Sequence, residues 1–340
     1  MKNKLAIGGL ILVTIIWGGG FVASDMALES MGPFQIMAVR FLLATVLMGL
    51  ISIKSFERKS PHEKSTKGKS FERKSFERKS FERKSLQEKT IQGKSLKGKS
   101  LKGKSLKGIE KAEVLAGGLM GVALFTGFAF QIVGLQYTTP SKNAFLTALN
   151  VVIVPFISFL ILKKKIGVKG VIGALMSVAG VALLSLDSNF SLGLGDGLTL
   201  ICAFGFAFQI FLTSEFVKKY RATVLNFIQM ATAFLLSVVC LVANGETNFQ
   251  VTTKGWLSVL YLGIISTTVC YLLQTASQKY VDETKAAIIL SMESVFGTIF
   301  SIIILHEIIT LRMVIGSAVI LSAVIISNLS EVQEQTEETT

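Results

Sequence analysis

Tyr137-Thr-Thr-Pro-Ser-Lys142-Asn-Ala144 is answered later in the chain by Tyr280-Val-Asp-Glu-Thr-Lys285-Ala-Ala287, at an offset of 143. The same offset pairs Asn150 with Glu293, Leu162 with Leu305, and Gly173 with Gly316. Upstream, Trp17-Gly18 matches Phe204-Gly205 at an offset of 187. The two offsets differ by 44, close to the length of a block of tandem pentapeptides lying between them. With that block set aside, the chain reads as two similar halves, each holding five apolar runs.

Those runs predict membrane helices near 5–23, 34–53, 114–136, 142–162, 167–186, 196–217, 222–243, 255–276, 285–305 and 310–329. Several approach or exceed the roughly 18–20 residues that cross a hydrocarbon core. The first follows Met1-Lys2-Asn3-Lys4, is long for the core of a signal peptide and lacks an A-x-A site, so it is expected to be retained. The fold class expected is therefore all-α integral membrane, ten transmembrane helices arranged as two five-helix repeats. The first repeat is expected over 1–187, the second over 188–330, with an acidic cytoplasmic tail at 331–340.

Orientation comes from Lys and Arg in the short loops. With the N-terminus inside, the inner segments hold Lys2, Lys4, Lys163, Lys164, Lys165, Lys169, Lys218, Lys219, Arg221, Lys279 and Lys285. The outer segments hold Lys142, Lys254 and Arg312, together with the acids Asp25, Glu29, Asp187, Asp196 and Glu246. Both termini and the 54–112 loop are accordingly expected in the cytoplasm, and the plasma membrane of a bacterium is the location expected. Five spans is an odd number, so the second half enters the membrane from the opposite side. Inverted repeats of this kind characterise secondary transporters, with the site near the midplane between the halves.

The chain has 340 residues, 51% of them apolar, and yet a formal charge of +13. The charge is local. Residues 55–109 form eleven pentamers running from SFERK, SPHEK and STKGK to SLKGK and SLKGI, with 18 Lys or Arg against 6 Glu. The remainder of the chain is close to neutral. A period of five suits neither helix nor strand, so no continuous apolar face forms and disorder is expected. Such a loop is a tolerated insertion, since closure entropy grows slowly with length, or a polybasic strip for anionic lipid. Its aromatics cease after Phe81, which argues against nucleic acid as a partner. Cys202, Cys240 and Cys270 lie inside apolar runs and suggest no disulfide framework. His62 and His306 stand far apart, so no metal site is expected, and no nucleotide-binding or hydrolase motif is present. No cofactor and no enzymatic activity are expected.

Charges and amides inside apolar runs mark the candidate site. Glu293 falls near the centre of helix 9, where a charge costs roughly 2.5–3.5 kcal/mol on insertion scales and needs a wet cavity, a partner or a proton. It is a candidate for binding a substrate amine or relaying a proton, or it locks helix packing. Its repeat mate Asn150 offers donors and an acceptor at comparable depth. Arg40 lies about 10 Å into helix 2 from Pro33 and is read as a gating or folding residue that snorkels outward or pairs with Asp25, with carboxylate binding as the alternative. Lys142 and Lys285 are read as headgroup anchors. Gln131, Gln209, Gln229 and Gln274 are amides of the kind that join helices. Trp17, beside Gly18-Gly19-Gly20, suits an aromatic wall, and Gly117-x-x-x-Gly121 suits close helix packing.

These residues resemble the EamA-type permeases of the drug/metabolite transporter superfamily. The matching pieces are Trp17-Gly18-Gly19-Gly20-Phe21, Pro33 with Arg40, the turn from Tyr137 to Ala144, Pro155, and the stretch Ala286–Glu307. Ser291-Met292-Glu293-Ser294-Val295-Phe296 is similar to the family's S-x-E-P-V-F run, with Ser294 in place of proline. His306-Glu307 is similar to its terminal G-E, with histidine in place of glycine, and Lys163-Lys164-Lys165 stands where a glutamate is common. The resemblance implies export or import of amino acids or other small metabolites, coupled to protons or a counter-substrate. It also implies that Gln131 and Gln209 line a cavity. Substrate contact is thus expected at Trp17, Gln131, Asn150, Gln209 and Glu293, and gating or proton coupling at Asp25, Arg40 and Glu293. The partners expected are a small-molecule substrate and membrane lipid. The rival reading is a non-transporting scaffold or sensor whose polybasic loop docks lipid or a partner.

These readings separate in one experiment. A chain lacking residues 55–109 should reach the membrane, elute from size exclusion and melt like the full chain, and retain its activity almost unchanged. Loss of activity with a normal melting curve would favour the docking loop.

Overall fold

The computed structural model describes residues 2–57, 110–163, 166–185, 192–281, 286 and 289–337. Most of the pentapeptide block, together with Lys164, Lys165, Asp187, Lys285 and Ala287, lies outside the described residues. No β-strand occurs among the described residues. The helices are α1 (Lys2–Leu28), α2 (Pro33–Glu57), α3 (Lys111–Leu135), α4 (Pro140–Thr147), α5 (Asn150–Leu162) and α6 (Val168–Ser185). They continue with α7 (Leu194–Phe216), α8 (Ala222–Ala243), α9 (Thr253–Leu260), α10 (Cys270–Gln278), α11 (Glu293–Phe300) and α12 (Leu311–Glu337). Between α9 and α10 the chain runs as a wide π-helical turn over Tyr261–Val269, and a second such turn, Ser301–Leu305, follows α11.

Among the described residues, seven helices are long and apolar enough to cross a bilayer: Lys4–Leu28, Pro33–Ser52, Lys111–Leu135, Pro140–Leu162, Leu194–Phe216, Ala222–Ala243 and Thr253–Gln278. Three shorter apolar helices, Val168–Leu184, Ile289–Leu305 and Leu311–Ile326, fall where three further spans are expected. Two ends differ from the sequence reading. Helix α2 runs on to Glu57, into the first pentamer, and α12 runs on to Glu337, into the acidic tail.

Large apolar side chains cover the outside of the bundle, and polar side chains are buried among its apolar core. Leu5, Leu115, Leu160, Leu175, Leu235, Val239, Val242 and Ile303 are exposed, whereas Thr14, Arg40, Asn143, Gln209, Thr213, Asn226, Gln229, Gln274 and Glu293 are buried. In lipid, helices gain little from hiding Leu or Val, so association relies on close packing and interior hydrogen bonds. The closest approaches are made at glycine. A Cβ on Gly205 of α7 would lie 2.6 Å from the backbone nitrogen of Gly127 on α3, and one on Gly18 of α1 would lie 2.6 Å from Phe296 Cβ on α11. Gly117 and Gly121 abut α8 at Ile228 and Thr232.

Helix α1 packs against α9, α10 and α11; α2 against α8 and the Tyr261–Val269 turn; α3 against α7 and α8; α4 and α5 against α7; and α6 against α12. Carboxylates tie two helix starts. Glu113 accepts from Arg221 Nη2 at 2.6 Å, Nε at 2.9 Å and the backbone N at 3.3 Å, joining α3 to the start of α8. Glu246 accepts from the backbone nitrogens of Phe34 and Gln35 at 2.9 and 3.1 Å, where the α2 dipole favours an anion.

Two apolar segments break at related places. Pro140–Leu162 is interrupted at Ala148 and Leu149, and α11 starts after a turn at Met292. Around the first break, Leu149 N donates to Leu146 O, and Val152 N and Ile153 N both donate to Leu149 O. Around the second, Met292 N donates to Ile289 O, and Val295 N and Phe296 N both donate to Met292 O, each bond displaced by 143 residues. Each segment then ends on a left-handed residue, Lys163 at φ 58° and His306 at φ 54°. The glycine usual at the second position is the residue that such a φ favours. Ser294 leaves the second break intact without proline; its hydroxyl donates to Ser291 O at 2.8 Å.

Gly205→Val should lower the melting temperature of the purified protein in detergent, with a loss of about 1–3 kcal/mol from overpacking the α3–α7 contact. The same change at Gly118, which has no neighbour within 4 Å, should leave the melting curve nearly unchanged.

Candidate functional site

A cavity opens among α1, α2, α3, α4, α5, α7, α10 and α11. Trp17, Gln131, Asn150, Gln209 and Glu293, five residues scattered over the sequence, all line it, and so does Arg40. Asp25 does not; it lies beyond the cavity, in the neighbourhood of Glu29, Glu307 and Lys254.

Glu293 and Asn150 each form the first residue after a helix break, so both side chains sit at the start of a half-helix. Glu293 is 7% exposed and meets no cation within ion-pair distance among the described residues. Asn150 Oδ1 is buried without a hydrogen-bond partner. Gln131 Nε2 donates to Thr147 Oγ1 at 3.2 Å, and Asn143 Nδ2 donates to Gln131 O and Thr199 Oγ1 at 3.1 and 2.9 Å. Gln209 Nε2 donates to Thr213 Oγ1 at 3.0 Å and to Gln229 Oε1 at 3.3 Å. Gln229 in turn donates to Asn226 Oδ1 at 2.7 Å, so amides knit α7 to α8. Gln274 lines the cavity with both side-chain polar atoms unpartnered.

The aromatic wall is built from several helices. Trp17 Nε1 donates to Ser266 O at 2.9 Å, and its ring lies 5.4 Å from that of Tyr271. Phe41, Phe128 and Phe206 form an edge-to-face series from α2 through α3 to α7, with centroids 5.5 and 4.9 Å apart.

The expectation for Arg40 needs correction. Its side chain neither snorkels outward nor pairs with Asp25. Arg40 is 3% exposed; Nε donates to Thr267 Oγ1 at 2.5 Å, Nη2 to Ser266 Oγ at 3.4 Å, and Cζ sits 4.0 Å from the Phe128 centroid. The wide turn at Tyr261–Val269 brings both hydroxyls to it. Lys142 is likewise more than a headgroup anchor. It pairs with buried Asp196 at 3.5 Å, and Thr138 donates to the same carboxylate at 2.5 Å, joining the α3–α4 turn to α7. At α4, Ser141 Oγ donates to Glu307 Oε2 at 2.7 Å, and Ser301 donates to the same oxygen.

Sequence reading missed Asn143 and Thr147, although they precede Asn150 at helical spacing on one face. It also missed Ser266-Thr267-Thr268, a hydroxyl run inside an apolar segment that was the available signal for the Arg40 site.

A cavity lined by amides, charges and aromatic rings and enclosed by apolar-faced helices is the build of a multi-pass membrane transporter. Comparison with known proteins agrees: the profile of the EamA-like transporter family matches residues 4–68, 97–186 and 193–329. The chain belongs to that family. It is 32% identical over 329 residues to an uncharacterized transporter of Archaeoglobus fulgidus, covering 97% of this chain and 87% of that protein. It is 26% identical over 212 residues to the uncharacterized transporter YdfC of Bacillus subtilis, covering 59% and 67%. A WAT1-related chloroplastic protein of Arabidopsis thaliana shares 26% identity over 232 residues, covering 63% and 54%. A solved crystal structure at 17% identity superposes with a TM-score of 0.62, covering 96% of this chain and 97% of that one, which shows the fold.

Buried unpartnered amides cost about 1–3 kcal/mol. Gln274→Leu should therefore raise the melting temperature of the purified protein while lowering transport. A variant that is both less stable and fully active would contradict this reading of Gln274.

Proposed function

We propose that the chain is a secondary transporter for small polar metabolites, amino acids and related compounds foremost, working by alternating access across a bacterial plasma membrane, with export as its direction. The observation that carries the proposal is the cavity flanked by Asn150 and Glu293, each opening a half-helix at equivalent positions of the two halves. Broken helices that present their starts to a midplane cavity are the usual construction of a secondary-transport site.

In this reading ten helices span the membrane as two inverted five-helix repeats, the first within 1–187 and the second within 188–330. Helices α4 and α5 together make one span, as do α9 and α10 with the turn between them. Three observations support the duplication. The backbone bonds around the two breaks recur at the offset of 143, and so do the left-handed residues Lys163 and His306. The packing is also closed under exchange of the halves. Contacts α2–α8 and α6–α12 map onto themselves, α3–α7 maps onto α1 with α9 and α10, and α5–α7 maps onto α1–α11.

With the N-terminus inside, the Lys142–Asp196 pair, the Ser141–Glu307 contact and the Glu246 cap on α2 hold the outer ends together. Opening outward requires some of them to part. Glu293 is assigned to a substrate amine or a transported proton, and Asn150 to the same ligand. Trp17, Gln131 and Gln209 complete the wall, while Asp25 belongs to the outer gate beside Glu307. The energy comes from a proton or counter-substrate gradient.

Flux into proteoliposomes across an amino-acid panel, with and without a proton gradient, tests the reading. Wild type should move at least one member of the panel. Glu293→Gln should lower its rate at least about tenfold, the scale of a lost charge-assisted hydrogen bond, and Asn150→Ala should lower it less. Absence of flux for every solute would overturn the transport reading in favour of a scaffold.

A further inference from the structure

We infer that Arg40 forms the anion-binding end of the cavity and that the solute presents a carboxylate to it. The inference rests on the transport reading only in taking the cavity as the place a solute occupies.

A guanidinium has five N–H donors in a planar fork. Two are engaged here, by Thr267 Oγ1 and Ser266 Oγ. Among the described residues no acceptor takes the others, and no carboxylate lies within ion-pair distance. The Thr267 hydroxyl is held as an acceptor rather than as a competitor. Thr267 donates its own hydrogen to Leu262 O, five residues back at 2.7 Å, so its oxygen is left to receive from Arg40. Phe128 supports the cation from one side at 4.0 Å. Hydroxyls and a ring face lower the cost of burying a cation but do not neutralise it, and an unpaired buried charge is strongly unfavourable. The fork is thus prearranged and lacks its counter-ion.

The rest of the cavity says which anion fits. Among the described lining residues Arg40 is the one cation and Glu293 the one acid, and the others are neutral amides, hydroxyls and apolar or aromatic groups. One guanidinium matches one carboxylate, which accepts two parallel N–H bonds. A phosphate dianion would keep an uncompensated charge here. Asn150 Oδ1 and both polar atoms of Gln274, buried and unpartnered, provide further polar contacts for the same solute. Trp17, Phe128, Phe206 and Tyr271 take an apolar body between the charged ends.

The test uses the full chain in lipid nanodiscs. Binding is measured by calorimetry and thermal shift for the proteinogenic L-amino acids, their carboxamides, short monocarboxylates and inorganic phosphate. At least one carboxylate should bind wild type about ten- to a hundredfold more tightly than its carboxamide, the scale of a lost charge-assisted hydrogen-bonded pair. Arg40→Gln should bring acid and carboxamide to similar affinity, and Arg40→Lys should restore part of the preference. Should Arg40→Gln fail to fold, wild type answers instead: phenylglyoxal modification of Arg40, read by mass spectrometry, should be slowed by the bound acid and not by its carboxamide. Equal binding of acid and carboxamide, preference retained in Arg40→Gln, equal modification in both cases, or phosphate binding as tightly as any carboxylate would each overturn the inference. No carboxylate binding at all would also overturn it, while measured flux of an amine or a neutral solute would leave the transport reading standing.

Discussion

A bilayer offers no hydrogen bonds, and everything polar in this chain is arranged around that constraint. Most polar side chains within the helices turn inward and find partners there: Gln209 on Thr213 and Gln229, and Gln229 on Asn226. Against that background, groups without partners stand out. Asn143 Oδ1, Asn150 Oδ1, both polar atoms of Gln274, and the charges of Arg40 and Glu293 border one cavity, whereas the likewise unpartnered Gln278 amide and Glu307 Oε1 do not line it. In water such groups would be satisfied by solvent and uninformative. In lipid, those around the cavity are the ground on which a polar solute is proposed to bind there.

The backbone follows the same logic. Regular helices satisfy themselves, so an interruption is costly unless it faces a polar space. The break at Ala148–Leu149 and the turn at Met292 both deliver cavity residues. The wide turn at Tyr261–Val269 delivers Ser266 and Thr267 to Arg40, and frees the Ser266 carbonyl for Trp17. The second wide turn, Ser301–Leu305, brings Ser301 to Glu307, the carboxylate that Ser141 of α4 also binds.

Much of this was legible in the residues. Apolar runs separated by charged turns are a strong signal, because bilayer thickness fixes their length. Glu293, Asn150 and Gln131 could be singled out because charges and amides are rare inside such runs. Side-chain direction was not legible. Arg40 has acids nearby in sequence, and a snorkelling or paired arginine is the cheaper default; only the wide turn, invisible to any 3.6-residue pattern, supplies its hydroxyl partners. The Lys142 ion pair was not legible either, since its partner Asp196 is distant in sequence. The break before Glu293 carries no proline, so the usual marker was missing where the interruption occurs.

The wide turn before α10 has a further meaning. Each residue of an ordinary helix advances the side chains by about 100° around the axis, and a wider turn advances them less. Tyr261–Val269 therefore acts as a phase shifter. It sets the azimuth at which α10 emerges, and with it the direction of Tyr271 and Gln274. Were the segment to rewind into ordinary helix with the rest of α10 unchanged, those two residues would be indexed to a new bearing with no hinge opening anywhere. Rotation of one helix about its own axis is thus a motion for which this chain is geometrically equipped, alongside the proposed rocking of its halves.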